Sequence, residues 1–179
     1  MKGTIVYLST YGSTREYAEW ISEKTGFRAS HLEQTAASAW QNADVVVLGC
    51  PVLMFQPILK DWIIKNWSTL QYKHLILFTT SGAVPSDPKL QEGFKTSFPE
   101  TIRERINYFP LGGRMIHGEL SNEHKQMMKI AQDLIDDPII KKEMMKDVDL
   151  VNPASIIPIL KQIKALIPEA AVARERGQV

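Results

Sequence analysis

The sequence predicts an α/β protein: a doubly wound, five-stranded parallel sheet in the order 2-1-3-4-5, with helices on both faces and a helical insertion after the last strand. Three observations carry this prediction. Short apolar runs alternate with amphipathic stretches, as in parallel strands joined by helical crossovers. The run Asp44–Gly49 is almost continuously β-branched, as a strand buried on both faces must be. The chain has 179 residues, 44% of them hydrophobic and without repeats, which suits a single domain over 1–179 with one core.

The elements follow in order. Thr4–Leu8 is the first strand, and a helix from about Thr14 to Lys24 sets Tyr17, Ala18 and Ile21 on one face. Phe27–Leu32 alternates apolar and polar residues and reads as an edge strand. After the third strand, Pro57 is well placed to start a helix carrying Ile58, Leu59, Trp62, Ile63 and Trp67. His74–Thr80 is the fourth strand, and Asp87–Arg105 is helical with an interruption at Pro99. Ile106–Phe109 and Arg114–His117 form a fifth strand bent at Gly112–Gly113. Residues 119–150 hold two helical pieces rich in methionine and lysine. Ser155–Ile167 is the last helix, with Pro158 in its first turn and Pro168 ending it. The strand order follows from the switch point that a doubly wound sheet needs between its first and third strands.

Composition removes several function classes. The 21 basic and 20 acidic side chains leave a net charge of +1 with no clustered basic face, so no nucleic acid is expected as partner. One cysteine excludes an internal disulfide and fits a reducing compartment. The apolar run near Met1 is too short for a signal peptide and no stretch reaches the ~20 residues of a membrane span, so a cytoplasmic protein is expected. His31, His74, His117 and His124 lack metal-ligand spacing. Cys50 lies where a C-x5-R phosphate loop would need arginine at the place of Gln56, and it reads as a buried, inert thiol.

The most informative stretch is Ser9-Thr10-Tyr11-Gly12-Ser13-Thr14, between the first strand and the first helix. Hydroxyls and backbone N–H groups in such a turn can wrap a phosphate, and the helix dipole adds favourable charge. Gly12 allows positive φ or close approach. Neither the dinucleotide fingerprint G-x-G-x-x-G nor the G-K-[ST] of a P-loop is present. The acids of a phosphoacceptor receiver domain are also missing, because their places hold Ser9-Thr10 and Cys50-Pro51.

The turn resembles the flavodoxin phosphate loop, [ST]-x-[ST]-G-x-T, with Tyr11 departing at the third position. Within that superfamily the chain is similar to the flavodoxin-domain proteins related to menaquinone-linked protoporphyrinogen oxidase, which also carry a long insertion near the last strand. The resemblance implies FMN as cofactor. It implies a phosphate held by Ser9, Thr10, Tyr11, Gly12, Ser13 and Thr14. The loop Pro51, Val52, Leu53, Met54, Phe55 and Gln56 would pack one face of the isoalloxazine, and Thr80, Ser81, Gly82 and Ala83 its other edge.

Two departures stand out. Electron-carrying flavodoxins are usually strongly acidic, and Met54 and Phe55 are the only large candidates for flavin packing. No catalytic side chain is assigned. The expected function is an FMN oxidoreductase acting on a quinone or porphyrinogen-type substrate, the alternative being a carrier between protein partners. A domain that has lost flavin is a third reading. Segment 119–150 is either a helical flap or a lid over the flavin edge, and its lysines would meet a membrane surface or simply water.

Overall fold

The computed structural model describes residues 1–166. Its elements in chain order are β1 (Gly3–Tyr7), α1 (Ser13–Thr25), β2 (Arg28–His31), α2 (Ala37–Gln41), β3 (Val45–Leu53), β4 (Gln56–Pro57), α3 (Lys60–Lys65), α4 (Trp67–Leu70), β5 (His74–Ser81), α5 (Pro88–Ser97), α6 (Glu100–Arg103), β6 (Ile106–Gly112), β7 (Arg114–Met115), α7 (Asn122–Asp133), α8 (Pro138–Met144), β8 (Val148–Asp149) and α9 (Ile157–Leu166). The main sheet runs β2-β1-β3-β5-β6 with every pair parallel, which is the predicted order 2-1-3-4-5.

Strand periodicity builds two cores from one sheet. Val46, Leu48, Leu75 and Leu77 face α3 and α5, where they meet Leu59, Ile63 and Phe94. Val45, Val47, Ile76 and Phe78 face α1 and α9, meeting Tyr17, Ile21, Ile159 and Ile163. Each fully buried side chain of this size contributes roughly 1.5–3 kcal/mol. Tyr17 is also a tie. Its hydroxyl donates to the Gly112 carbonyl (2.9 Å) and accepts from the Asn152 amide (3.0 Å), fastening α1 to the end of β6 and the approach to α9.

Four local readings need correction. The second strand is shorter than Phe27–Leu32, because Leu32–Gln34 turns as a 3-10 helix. An unforeseen α2 follows it, with Trp40 buried edge-on against Trp62. The third strand does not stop at Gly49 but continues to Leu53 and folds back antiparallel onto β4. Pro57 therefore sits in a hairpin, the helix starts only at Lys60, and it breaks at Asn66. Its turn residues Met54 and Phe55 both take positive φ (48° and 63°), the geometry two-residue hairpins favour but bulky side chains resist by roughly 1–2 kcal/mol each.

The fifth strand is one straight run to Gly112, and Arg114–Met115 leaves the sheet to pair antiparallel with β8. Gly112 and Gly113 allow that exit: a Cβ on Gly112 would lie 2.4 Å from the Leu150 carbonyl oxygen, and the Gly113 amide bonds Ser81 O at 2.6 Å. The last helix begins as a 3-10 turn over Pro153–Ile156, and the predicted Ile167 and Pro168 lie outside the described residues. Residues 119–150 do form two helices, α7 and α8. No helix among the described residues is long and apolar enough to cross a membrane.

Cys50 is fully buried, and desolvation pushes its thiol up to about 12, against a smaller opposing effect of the Leu59 and Ile58 amides. Iodoacetamide at pH 8 is expected to leave it unmodified in the native protein and to alkylate it after unfolding. Alkylation of the native protein at the rate of an exposed thiol would show that β3 and α3 do not pack as described.

Candidate functional site

Above the carboxyl ends of β1, β3 and β5 lies a cavity of about 290 Å³. The switch point puts it there, because crossovers leave in opposite directions from β1 and β3 and their loops part. One wall is the phosphate loop, contributing Thr10, Tyr11, Ser13 and Thr14. A second comes from the end of β3, through Pro51, Val52, Leu53 and Met54, and the end of β5 adds Thr80, Ser81 and Gly82. Ser9 and Gly12 line a more polar cavity on the other side of the loop, shared with Thr10 and Tyr11 and bounded by Arg15 and His31.

The remaining predicted site residues face elsewhere. Phe55 turns toward α5, with its carbonyl oxygen pressed on Gly93 and its ring under Lys89. Gln56 accepts from the Lys60 ammonium at 2.6 Å, and the Ala83 carbonyl accepts from the Ser81 hydroxyl.

The loop is organised for an anion. Gly12 takes φ 94° at the N-cap of α1 and brings no capping side chain, whereas Asp87, Ser121 and Asp137 cap α5, α7 and α8. The Ser13 and Thr14 amides have no intrahelical acceptor and can donate to a ligand, while the Arg15 amide donates to Ser9 Oγ at 3.3 Å. Ser13 Oγ accepts from the Arg114 amide at 2.9 Å, which leaves its own proton available. Thr14 and Thr80, both buried, share a hydroxyl bond of 2.8 Å, so one of the two protons is spent and the other is not.

The far wall comes from segment 119–150, which the sequence offers as a flap or lid without naming its site residues. Helix α7 lays His124, Met127, Met128 and Ala131 over the cavity, a stripe at helical spacing, with Leu120 and Met115 beside it. That spacing was readable in the sequence, but which face of the helix turns inward was not. Arg114 also lines the cavity, yet its charge is committed. It bonds Glu16 Oε1 and Asp149 Oδ2, both at 2.8 Å, and those carboxylates hold its pKa above the ordinary value. The Arg114 bond in turn holds the Asp149 carboxyl below its usual range, and the His117 amide does the same for Asp147. Among the described residues no cluster of side chains fits a metal ion.

The family model for a flavodoxin domain matches residues 4–138. The chain belongs to the flavodoxin-domain family. The match runs from β1 to the start of α8, so it takes in the phosphate loop and α7. Flavodoxin domains bind flavin, and this one has two unpaired amides at the start of α1, hydroxyl donors and a cavity beside them, which fit a phosphate-bearing ligand. No curated protein matches the chain in sequence. Among solved structures, a flavodoxin from the domain Archaea is 16% identical, covering 71% of this chain and 90% of its own, with a TM-score of 0.38. A WrbA-like flavodoxin from Agrobacterium tumefaciens is 18% identical, covering 68% and 86%, with a TM-score of 0.46.

Proposed function

We propose that this flavodoxin domain holds FMN in the cavity and passes electrons between it and a small, flat, uncharged acceptor of the quinone type. One observation carries the choice of acceptor: the outer wall is the methionine stripe of α7, and the cavity's one arginine is neutralised by Glu16 and Asp149. A porphyrinogen-type substrate brings carboxylates that would need free cations there. A protein partner would have to reach a ring edge that α7 covers.

When bound, FMN supplies the redox chemistry, so the chain itself needs no nucleophile and no metal. The residues bind and orient. The α1 amides and the hydroxyls of Thr10, Ser13 and Thr14 would take the phosphate. Pro51, Val52 and Met54 would set the ring end, with Thr80 and Ser81 offering polar edges to it. Met115, Met127 and Met128 exclude water and adapt to a flat apolar ligand, since thioether chains repack at low cost.

The test begins with an absorbance spectrum of the purified protein supplied with FMN, followed by turnover with a quinone, a porphyrinogen and a small redox protein. Flavin bands and preferential quinone turnover are expected. The absence of flavin bands would sink the cofactor reading. Faster electron transfer to the redox protein than to the quinone would select the carrier function instead.

A further inference from the structure

Tyr11 stands in the phosphate loop where the sequence pattern has a small hydroxyl residue, and its hydroxyl leaves the loop altogether. It accepts from the backbone amide of Ser121 at 3.2 Å and bonds His124 Nδ1. The Ser121 N–H donates to the phenol oxygen, and in the second bond the donor is the phenol or the imidazole N–H according to the His124 tautomer. The two rings meet edge-on, their centroids 5.6 Å apart. Ser121 is itself the N-cap of α7, its hydroxyl accepting from the His124 amide at 3.2 Å. One side chain thus grips the first turn of the helix that forms the outer wall.

Little else holds that helix to the body. No residue of α7 is buried, and Leu120, just before it, is the one buried side chain of residues 119–150. Further along, Gln132 bonds the Lys141 carbonyl, within the insertion itself. At the other end of the insertion, Arg114–Asp149 and His117–Asp147 tie the base without touching α7. The helix is therefore anchored at its base and fastened over the cavity by the Tyr11 hydroxyl.

We infer that Tyr11 is a positioning residue: through Ser121 and His124 it latches α7 down as the outer wall of the site, and opening of this latch admits and releases the flavin and its acceptor. The inference deepens the FMN reading and rests on it. The latch contacts lie between two parts of the chain and need no ligand to form. Breaking them raises the open population, through which ligand enters and leaves.

The experiment is stopped-flow FMN association and dissociation with wild type, Tyr11→Phe and His124→Leu, the last breaking the latch without altering the phosphate loop. Trypsin cleavage after Lys125 and Lys129 is followed in the same proteins without flavin. In both variants the association and dissociation rates should each rise by about tenfold, and cleavage in α7 should accelerate similarly. A faster dissociation with unchanged association in Tyr11→Phe would make Tyr11 part of the phosphate cradle and overturn the latch. Unchanged cleavage would overturn it as well. Faster cleavage with unchanged FMN exchange would overturn its role as the entry route. If wild type takes up no FMN, the cofactor reading is what fails, and the trypsin comparison still decides whether Tyr11 fastens α7.

Discussion

Gly93→Ala is expected to lower stability by about 3 kcal/mol or more and to weaken flavin binding as well. An added Cβ on this α5 residue would lie 2.0 Å from the Phe55 carbonyl oxygen and 2.7 Å from its carbon. Both are backbone atoms, so no side chain can swing aside, and overpacking of this kind ordinarily costs about 1–3 kcal/mol even where relaxation is easier. The segment that must yield is the hairpin of Met54 and Phe55, already held at positive φ. Its displacement moves Pro51 to Met54, which line the cavity. For a chain of this size the loss corresponds to a fall of roughly 6–12 °C in Tm. Gly118→Ala is the control, because a Cβ there meets nothing within 4 Å. Thermal unfolding with and without FMN measures both effects, and a Gly93→Ala protein that melts with wild type would mean α5 and the hairpin are not in contact.

Thr14→Val should separate a structural role from a ligand role. Thr14 and Thr80 are 2% and 4% exposed and bond each other, so removing one hydroxyl leaves the other buried without its partner, at a cost of about 1–3 kcal/mol. On the proposed FMN reading the same change also removes a donor to the phosphate, where a charge-assisted bond is worth roughly 1.5–3 kcal/mol, about 10- to 100-fold in affinity. The double variant Thr14→Val/Thr80→Val replaces both partners with apolar groups of the same shape and should recover most of the stability. It should not recover the affinity. Chemical denaturation and FMN titration of the single and double variants read the two outcomes. If the double variant binds FMN as wild type does, the phosphate does not rest on Thr14.

What the sequence disclosed and what it hid have physical causes. Strand and helix periods mark β1, β3, β5 and α1, because each buries a whole face and repeats the signal several times, and they mark the two insertion helices by apolar spacing although neither has a buried residue. The β3–β4 hairpin is hidden, since Met54-Phe55 lacks the Asn-Gly chemistry that announces such a turn and Pro57 reads as a helix start. The pairing of Arg114–Met115 with Val148–Asp149 involves two residues a side, too short for any period. The phosphate loop was legible as a motif, whereas the far wall of the cavity depends on contacts such as Tyr11 to His124, 113 residues apart. No local pattern encodes a contact at that separation.

The absence of any buried residue in α7 and α8 has a calorimetric consequence. The heat-capacity change and the cooperativity of unfolding scale with apolar area withdrawn from water, and these two helices withdraw little of it. Ile130, Leu134 and Ile139 are 61%, 76% and 71% exposed. Melting of the insertion is therefore spread over a broad range and adds almost nothing to the main endotherm, which reports the sheet. A library of variants ranked by thermostability would be blind to changes in α7 and α8, and the wall facing the cavity could be redrawn there with no mark on the melting curve.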